Sequence, residues 1–202
     1  MNILIIRHGE TDLNAARVIQ PPTATLSERG LEQAQCLGRY LTSRHIERVI
    51  ASDYARARST AEAVSRHTGA PLSFDPELRE RNFGDLRGSA YADLGDLDFT
   101  AQGYVPPNGE SWEMFHRRVD TAWSHVIAAT EGLHGDLAVV THGLVISSLV
   151  DRILDVSAYP AEPPIVVANT SFTVVESTHP WRVSALASTE HLPEQNTDGA
   201  MV

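Results

Sequence analysis

Ile3-Leu4-Ile5-Ile6-Arg7-His8-Gly9-Glu10-Thr11 opens the chain with four consecutive apolar residues that run directly into an arginine, a histidine and a glycine. An uninterrupted apolar run of this length reads as a strand buried on both faces, the kind found in parallel sheets. Glycine after the histidine lets the backbone turn sharply, and open α/β sheets bind their ligands where strands end at their carboxyl termini. The stretch Asp136-Leu137-Ala138-Val139-Val140-Thr141-His142-Gly143 repeats the arrangement, an apolar strand followed by His-Gly. A third run, Val49-Ile50-Ala51-Ser52, opens into Asp53-Tyr54-Ala55-Arg56. If these strands are parallel, His8, His142, Arg7 and Arg56 converge at one edge. Neutral imidazole is a nucleophile near pH 7 and guanidinium groups grip phosphate oxygens bidentately, so the set suits phosphoryl transfer.

Around these strands, apolar runs alternate with helical patterns from residue 2 to about 155, the signature of βαβ units. Ser27 is placed to cap a helix reaching about Arg44, with Leu31, Ala34, Leu37, Tyr40 and Leu41 as its apolar stripe. A strand over 46–52 leads to a helix from about Tyr54 to His67, closed by Gly69, and a strand over 71–75 follows. Residues 76–108 are rich in Gly and Pro and predict an irregular excursion with a short helix near 89–96. Asn108 is expected to cap a long helix ending near Thr130, before a strand over 136–141 and a helix over 143–154. Residues 170–175 and 182–186 read as an antiparallel pair, and the polar stretch from about 190 to 202 as a flexible tail. The expected architecture is a single domain, a three-layer α/β/α sandwich with a mostly parallel sheet and an antiparallel C-terminal strand.

Composition narrows the function. The 202 residues include 42% apolar and 21% charged side chains, a globular balance, and no stretch approaches the roughly 20 apolar residues of a membrane helix. No basic leader or cleavage site precedes the first strand, so cytoplasm is the expected compartment. A net charge of −10 argues against nucleic acid and anionic membrane as partners. All 16 cationic side chains are arginine, which leaves no lysine for a Walker A loop or a Schiff base. No dinucleotide fingerprint and no metal-ligand spacing appears, so neither cofactor nor metal is expected. The single cysteine, Cys36, reads as a small buried hydrophobe.

Six segments in order carry a likeness: Leu4-Ile5-Ile6-Arg7-His8-Gly9-Glu10-Thr11 with Asn14, Leu26-Ser27-Glu28-Arg29-Gly30, Ala51-Ser52-Asp53-Tyr54-Ala55-Arg56-Ala57, Leu78-Arg79-Glu80-Arg81-Asn82-Phe83-Gly84, Asn108-Gly109-Glu110-Ser111 and Val140-Thr141-His142-Gly143. Together they make the chain resemble the histidine phosphatase superfamily, also called phosphoglycerate mutase-like, on the side of its broad-specificity bacterial phosphatases. The resemblance implies a metal-independent phosphomonoesterase in which His8 forms a phosphohistidine. Arg7, Arg56 and His142 would bind the non-bridging oxygens, and Glu80 would give the leaving group its proton. Asn14, Gln20, Thr11 and Gly143 would bind substrate, a small phosphate ester.

Alternatives stay open at this point. Glu110 rivals Glu80, although a carboxylate in the first turn of a helix explains it adequately. A phosphoglycerate mutase-type transferase shares the first half-reaction, and a non-catalytic phosphate-binding domain would keep the pocket alone. Arg58 is expected to face away from the site, Arg117 and Arg118 to lie on a solvated helix face, and His116 and His125 to be bland. Trp112 and Tyr104 are divided between core and pocket. Pro21 and Pro22 after Gln20, Leu86 where the family commonly has Trp, and Leu144 after His142-Gly143 depart from the usual pattern and bear on substrate preference. No motif specifies a homodimer or a monomer.

Overall fold

The strand read first, β1 (Asn2–Arg7), has Ile3 to Ile6 wholly buried, because it lies inside a sheet covered on both faces. The computed structural model describes residues 1–160 and 165–193. In chain order the elements are β1, α1 (Asp12–Ala15), α2 (Glu28–Leu41), β2 (Ile46–Ala51), α3 (Ala55–Thr68), β3 (Leu72–Phe74), α4 (Trp112–Ala128), β4 (Asp136–Thr141), α5 (Gly143–Arg152), β5 (Phe172–Glu176) and β6 (Val183–Ser188). The six strands form one sheet in the order β3-β2-β4-β1-β5-β6. β1 to β4 are parallel, β5 runs antiparallel to β1, and β6 is antiparallel to β5.

Alternation along β1 sorts its side chains into two cores. Ile3 and Ile5 pack with Phe115, Val119 and Trp123 of α4 and Val145, Ile146 and Leu149 of α5. Leu4 and Ile6 pack on the other face with Leu37 and Leu41 of α2 and Ala57, Ala61 and Val64 of α3. The expected three-layer sandwich is therefore present. Ser27 caps α2 through a hydrogen bond from the Gly30 amide (3.0 Å), and Gly69 closes α3 in the left-handed conformation at φ 74°.

Several boundaries differ from expectation. α2 ends at Leu41, and Leu31 is half exposed; Ala34, Leu37 and Leu41 are buried as expected, with Gly30, Gln33 and Gly38 completing the stripe. Cys36 is only half buried. α4 is capped by Ser111, which accepts from the Met114 amide (3.1 Å), not by Asn108. Asn108 is committed elsewhere: its φ is +58° and its side-chain amide donates to Asp85 (2.9 Å). The excursion contains 3₁₀ turns at Pro76–Leu78, Gly84–Leu86 and Tyr91–Leu94. Of the stretch read as a tail, 194–202 lie outside the described residues. Residues 190–193 fold back, with Tyr40 hydrogen-bonding Glu190, His191 meeting Thr170 (3.0 Å), and Leu192 buried.

Candidate active site

β1 and β4 are neighbours in register, with Arg7 beside Thr141, so the histidines that follow emerge level with one another. The His8 amide donates to the Thr141 carbonyl (3.0 Å), and the two imidazole centroids are 5.1 Å apart. Ser52 at the end of β2 reaches the same edge and meets His142 Nε2 at 2.8 Å. The loop after β1 is pinned from both sides. Thr60 of α3 accepts from the Gly9 amide (3.0 Å), Gln33 of α2 accepts from the Glu10 amide (2.9 Å), and Asn169 donates to the His8 carbonyl (3.0 Å). Only glycine fits where the loop crosses α2, because a Cβ on Gly30 would fall 2.0 Å from the Glu10 carbonyl oxygen.

A carbonyl partner fixes the tautomer of His8. His8 Nδ1 lies 2.7 Å from the Gly9 carbonyl, which can only accept, so the proton sits on Nδ1 and the lone pair on Nε2. Arg56 Nε donates to that Nε2 at 3.1 Å. Burial, then the charges of Arg56 and Arg7, push the His8 pKa well below the usual histidine value. His142 Nε2 meets the Ser52 hydroxyl (2.8 Å), which also accepts from the Tyr54 amide (3.3 Å). His142 Nδ1 has no hydrogen-bond partner among the described residues. Burial and the nearby Arg56, His8 and Arg7 hold His142 well below the usual value as well.

Arg7, His8, Asn14, Gln20, Arg56, Glu80 and Gly143 line one cleft of about 510 Å³, its open mouth included, together with Tyr54, Arg81, Arg87, Tyr91 and Phe83. Two of the expected residues stand behind that wall. Thr11 caps α1 and donates to Gln20 Oε1 (2.8 Å), so it orients a pocket residue rather than lining the pocket. His142 is fully buried beneath His8. Arg56 donates to the Pro21 carbonyl (3.1 Å), which ties the Pro21-Pro22 loop to the site, and burial holds its pKa down to about 10.

The Glu80 carboxylate accepts from the Arg81 amide (3.0 Å) and from the Leu144 amide in the first turn of α5 (3.1 Å). Burial raises its pKa, opposed by those two amides and by Arg56 and Arg7. Glu110 is in the opposite situation. Burial would raise its pKa, but the bidentate Arg118 pair (2.8 and 2.9 Å) and the Asn82 amide (2.8 Å) outweigh it and leave it lowered. It lies before the cap of α4, away from the cleft, so the expected place in a helix first turn is also corrected.

Arg118 is likewise not on a solvated face. Besides Glu110 it donates to the carbonyls of Glu77 (2.7 Å), Arg79 (2.7 Å) and Glu80 (3.3 Å), clamping the segment that carries Glu80. Arg81 is buried, bonds the carbonyls of Phe99, Tyr104 and Glu110, and stacks 4.1 Å from the Trp112 ring. Trp112 and Tyr104 thus hold the excursion around the cleft. Sequence reading did not single out Arg81, Arg118, Arg87 or Tyr54 for the site; Arg81 and Tyr54 stand inside the quoted motifs, one position from Glu80 and two from Arg56. Exposed Arg58 stacks 4.0 Å from Phe74, outside the cleft, and His125 pairs with Asp75 (2.8 Å).

Among the described residues, no cluster of three or more His, Cys, Asp or Glu is placed to hold a metal ion, and no helix is long and apolar enough to cross a membrane. A neutral nucleophilic nitrogen, cationic donors around it and a carboxyl of raised pKa suit transfer of a phosphoryl group to nitrogen.

Comparison with known proteins agrees with this chemistry. The model of the histidine phosphatase superfamily (branch 1) matches residues 3–188. An adenosylcobalamin/alpha-ribazole phosphatase of Salmonella typhimurium is 34% identical over 167 residues, 78% of this chain and 82% of that protein. A protein of Erwinia tasmaniensis named "Probable phosphoglycerate mutase GpmB" is 33% identical over 195 residues, 91% of this chain and 89% of its own. The crystal structure of the alpha-ribazole phosphatase from Shigella flexneri superposes with a TM-score of 0.79 at 28% identity, covering 93% of this chain and 96% of that one. With the family model spanning both histidine-bearing strands and both cationic loops, the chain belongs to the histidine phosphatase superfamily.

Proposed function

We propose that this protein is a phosphomonoesterase for small organic phosphates, working through a phosphohistidine on His8 without a metal. The observation that carries the reading is the His8 ring itself, buried and neutral, with Nδ1–H spent on the Gly9 carbonyl and the Nε2 lone pair facing Arg56 at the cleft. Nε2 attacks phosphorus as the ester P–O bond breaks, and the protonated Glu80 carboxyl delivers its proton to the leaving alkoxide. Burial keeps that proton available closer to neutrality than on a free glutamate. The Glu80 carboxylate then takes a proton from water as its oxygen attacks phosphorus and the P–N bond breaks, which regenerates neutral His8 and releases phosphate. Arg7, Arg56 and His142 stabilise the transferring group's oxygens. Asn14, Gln20 and Gly143 contact substrate, with Thr11 orienting Gln20.

Water as acceptor fits the open cleft, since Tyr54, Glu80, Arg87 and Tyr91 all keep solvent exposure. A mutase must exclude water from the same intermediate, and the likeness to GpmB-type proteins makes it the reading to test against. The experiment is phosphate release from a panel that includes α-ribazole 5′-phosphate, phosphoglycerates and sugar phosphates, with chelator present, for the native protein and His8→Ala. Turnover abolished by the substitution supports the phosphatase. Phosphoglycerate exchange without release makes it a mutase, and silence in both assays with retained vanadate binding makes it a binding domain.

A further inference from the structure

The cleft holds more positive charge than a single phosphate uses. Four guanidinium groups, Arg7, Arg56, Arg81 and Arg87, face one carboxylate, Glu80. Arg7 and Arg56 flank His8, and Arg81 spends its donors on three backbone carbonyls. Arg87 is different. Among the described residues its hydrogen-bond partner is the Tyr54 hydroxyl at 3.2 Å, and no carboxylate pairs with it.

Its backbone is nevertheless held firmly. The Gly88 amide donates to the Ile19 carbonyl (2.7 Å), the Ile19 amide to Ser89 (3.0 Å) and the Tyr91 amide to Arg17 (2.9 Å), a short ladder that binds the 84–91 segment to the loop carrying Gln20. Tyr54 is equally fixed, with its ring 5.4 Å from that of His142 and flanked by the Arg56 and Arg79 guanidiniums. A half-buried arginine on a rigid rim, with a planar fork of donors and one neutral partner, is built to receive an anion.

Resting on the phosphatase reading, we propose that Arg87, oriented by Tyr54, is the specificity residue that binds a second anionic group on the substrate, a carboxylate or a second phosphate. The favoured substrates are then phosphomonoesters of acids or bisphosphates, in preference to esters of neutral alcohols.

Matched pairs test this: 3-phosphoglycerate against glycerol 3-phosphate, and fructose 1,6-bisphosphate against fructose 6-phosphate. Each pair is compared in kcat/KM with the native protein, Arg87→Gln and Arg87→Lys, and in binding affinity with the same two changes in a His8→Asn background that cannot turn over. The expected result is at least a tenfold preference for the acidic member of one or both pairs, carried by KM. Arg87→Gln cuts that preference at least tenfold and Arg87→Lys restores part of it; which pair responds identifies carboxylate or phosphate. No native preference, or a preference unchanged in Arg87→Gln, overturns the proposal. Should no ester be hydrolysed, the phosphatase reading fails, while the binding ratios in the His8→Asn background still decide the subsite.

Discussion

Replacing Arg118 with methionine removes a clamp that touches no substrate and should still cost both stability and rate. The Arg118 and Glu110 side chains are only 16% and 15% exposed, and the guanidinium makes two bonds to the carboxylate plus three to the carbonyls of Glu77, Arg79 and Glu80. Removing one member of such a pair strands the other charge, at about 3–5 kcal/mol. For a chain of this size that lowers the melting temperature by roughly 6–20 °C. In the double variant Arg118→Met with Glu110→Leu no charge is stranded, so at least about 1.5 kcal/mol of the loss should return, as measured in a double-mutant cycle. The rate effect has its own signature. The clamp sets the position of Glu80, so at a temperature where the variant is fully folded, kcat/KM on alkyl phosphates should fall by about a hundredfold. Nitrophenyl phosphate, whose leaving group needs no proton, should lose far less in kcat/KM, which excludes the hydrolysis step common to both esters. An unshifted melting temperature, no recovery in the double variant, or equal losses on both esters would refute the reasoning.

Glu80→Gln should lower kcat/KM on alkyl phosphates by about 10²–10⁴ while sparing kcat/KM on nitrophenyl phosphate, since that ratio reports only transfer to His8, in steady-state assays of the two ester classes. Because burial, Arg56 and Arg7 depress the His8 pKa, activity should persist below pH 6.5 rather than fall there, and deprotonation of Glu80 should set the alkaline limb for alkyl esters; a pH–rate profile checks both. The same depression makes His142 a source of stability that is present above the unfolded histidine pKa and lost as pH falls below it, by about 1.4 kcal/mol per pH unit. Denaturant melts of His142→Asn at pH 7 and 5.5 should therefore show a weaker pH dependence than the native protein. Gly30→Ala should destabilise by about 1–3 kcal/mol or more, although alanine ordinarily favours a helix, because its Cβ meets the Glu10 carbonyl; thermal melting gives the sign.

What the sequence made legible was local. β1 and β4 were readable because strands buried on both faces leave uninterrupted apolar runs, and the His-Gly that follows each marks its carboxyl end. The choice between Asn108 and Ser111 as helix cap was not readable, since both are good capping residues and the decision rests on Asp85, which engages the Asn108 side chain. Arg81 and Arg118 escaped for another reason. Their partners are mostly backbone carbonyls at 77–80 and 99–110, which carry no residue signature, so a buried arginine looks like a solvated one. The rivalry between Glu80 and Glu110 likewise turned on Arg118, whose charge claims one carboxylate and leaves the other facing the cleft.

β5 lies along the other edge of β1, and the turn before it holds the backbone of Arg7 and His8: the Thr170 amide donates to the Arg7 carbonyl (3.1 Å), the Arg7 amide to Ser171 (3.1 Å), and Asn169 to His8. His8, the proposed nucleophile, and the supports at 169–171 are separated by more than 160 positions of the chain. Pairing across so long a separation forms late in folding, after local helices and hairpins. The geometry of the His8 loop is therefore contingent on a distant docking event, and loosening of the 169–171 turn alone would release it while the local helices stay formed.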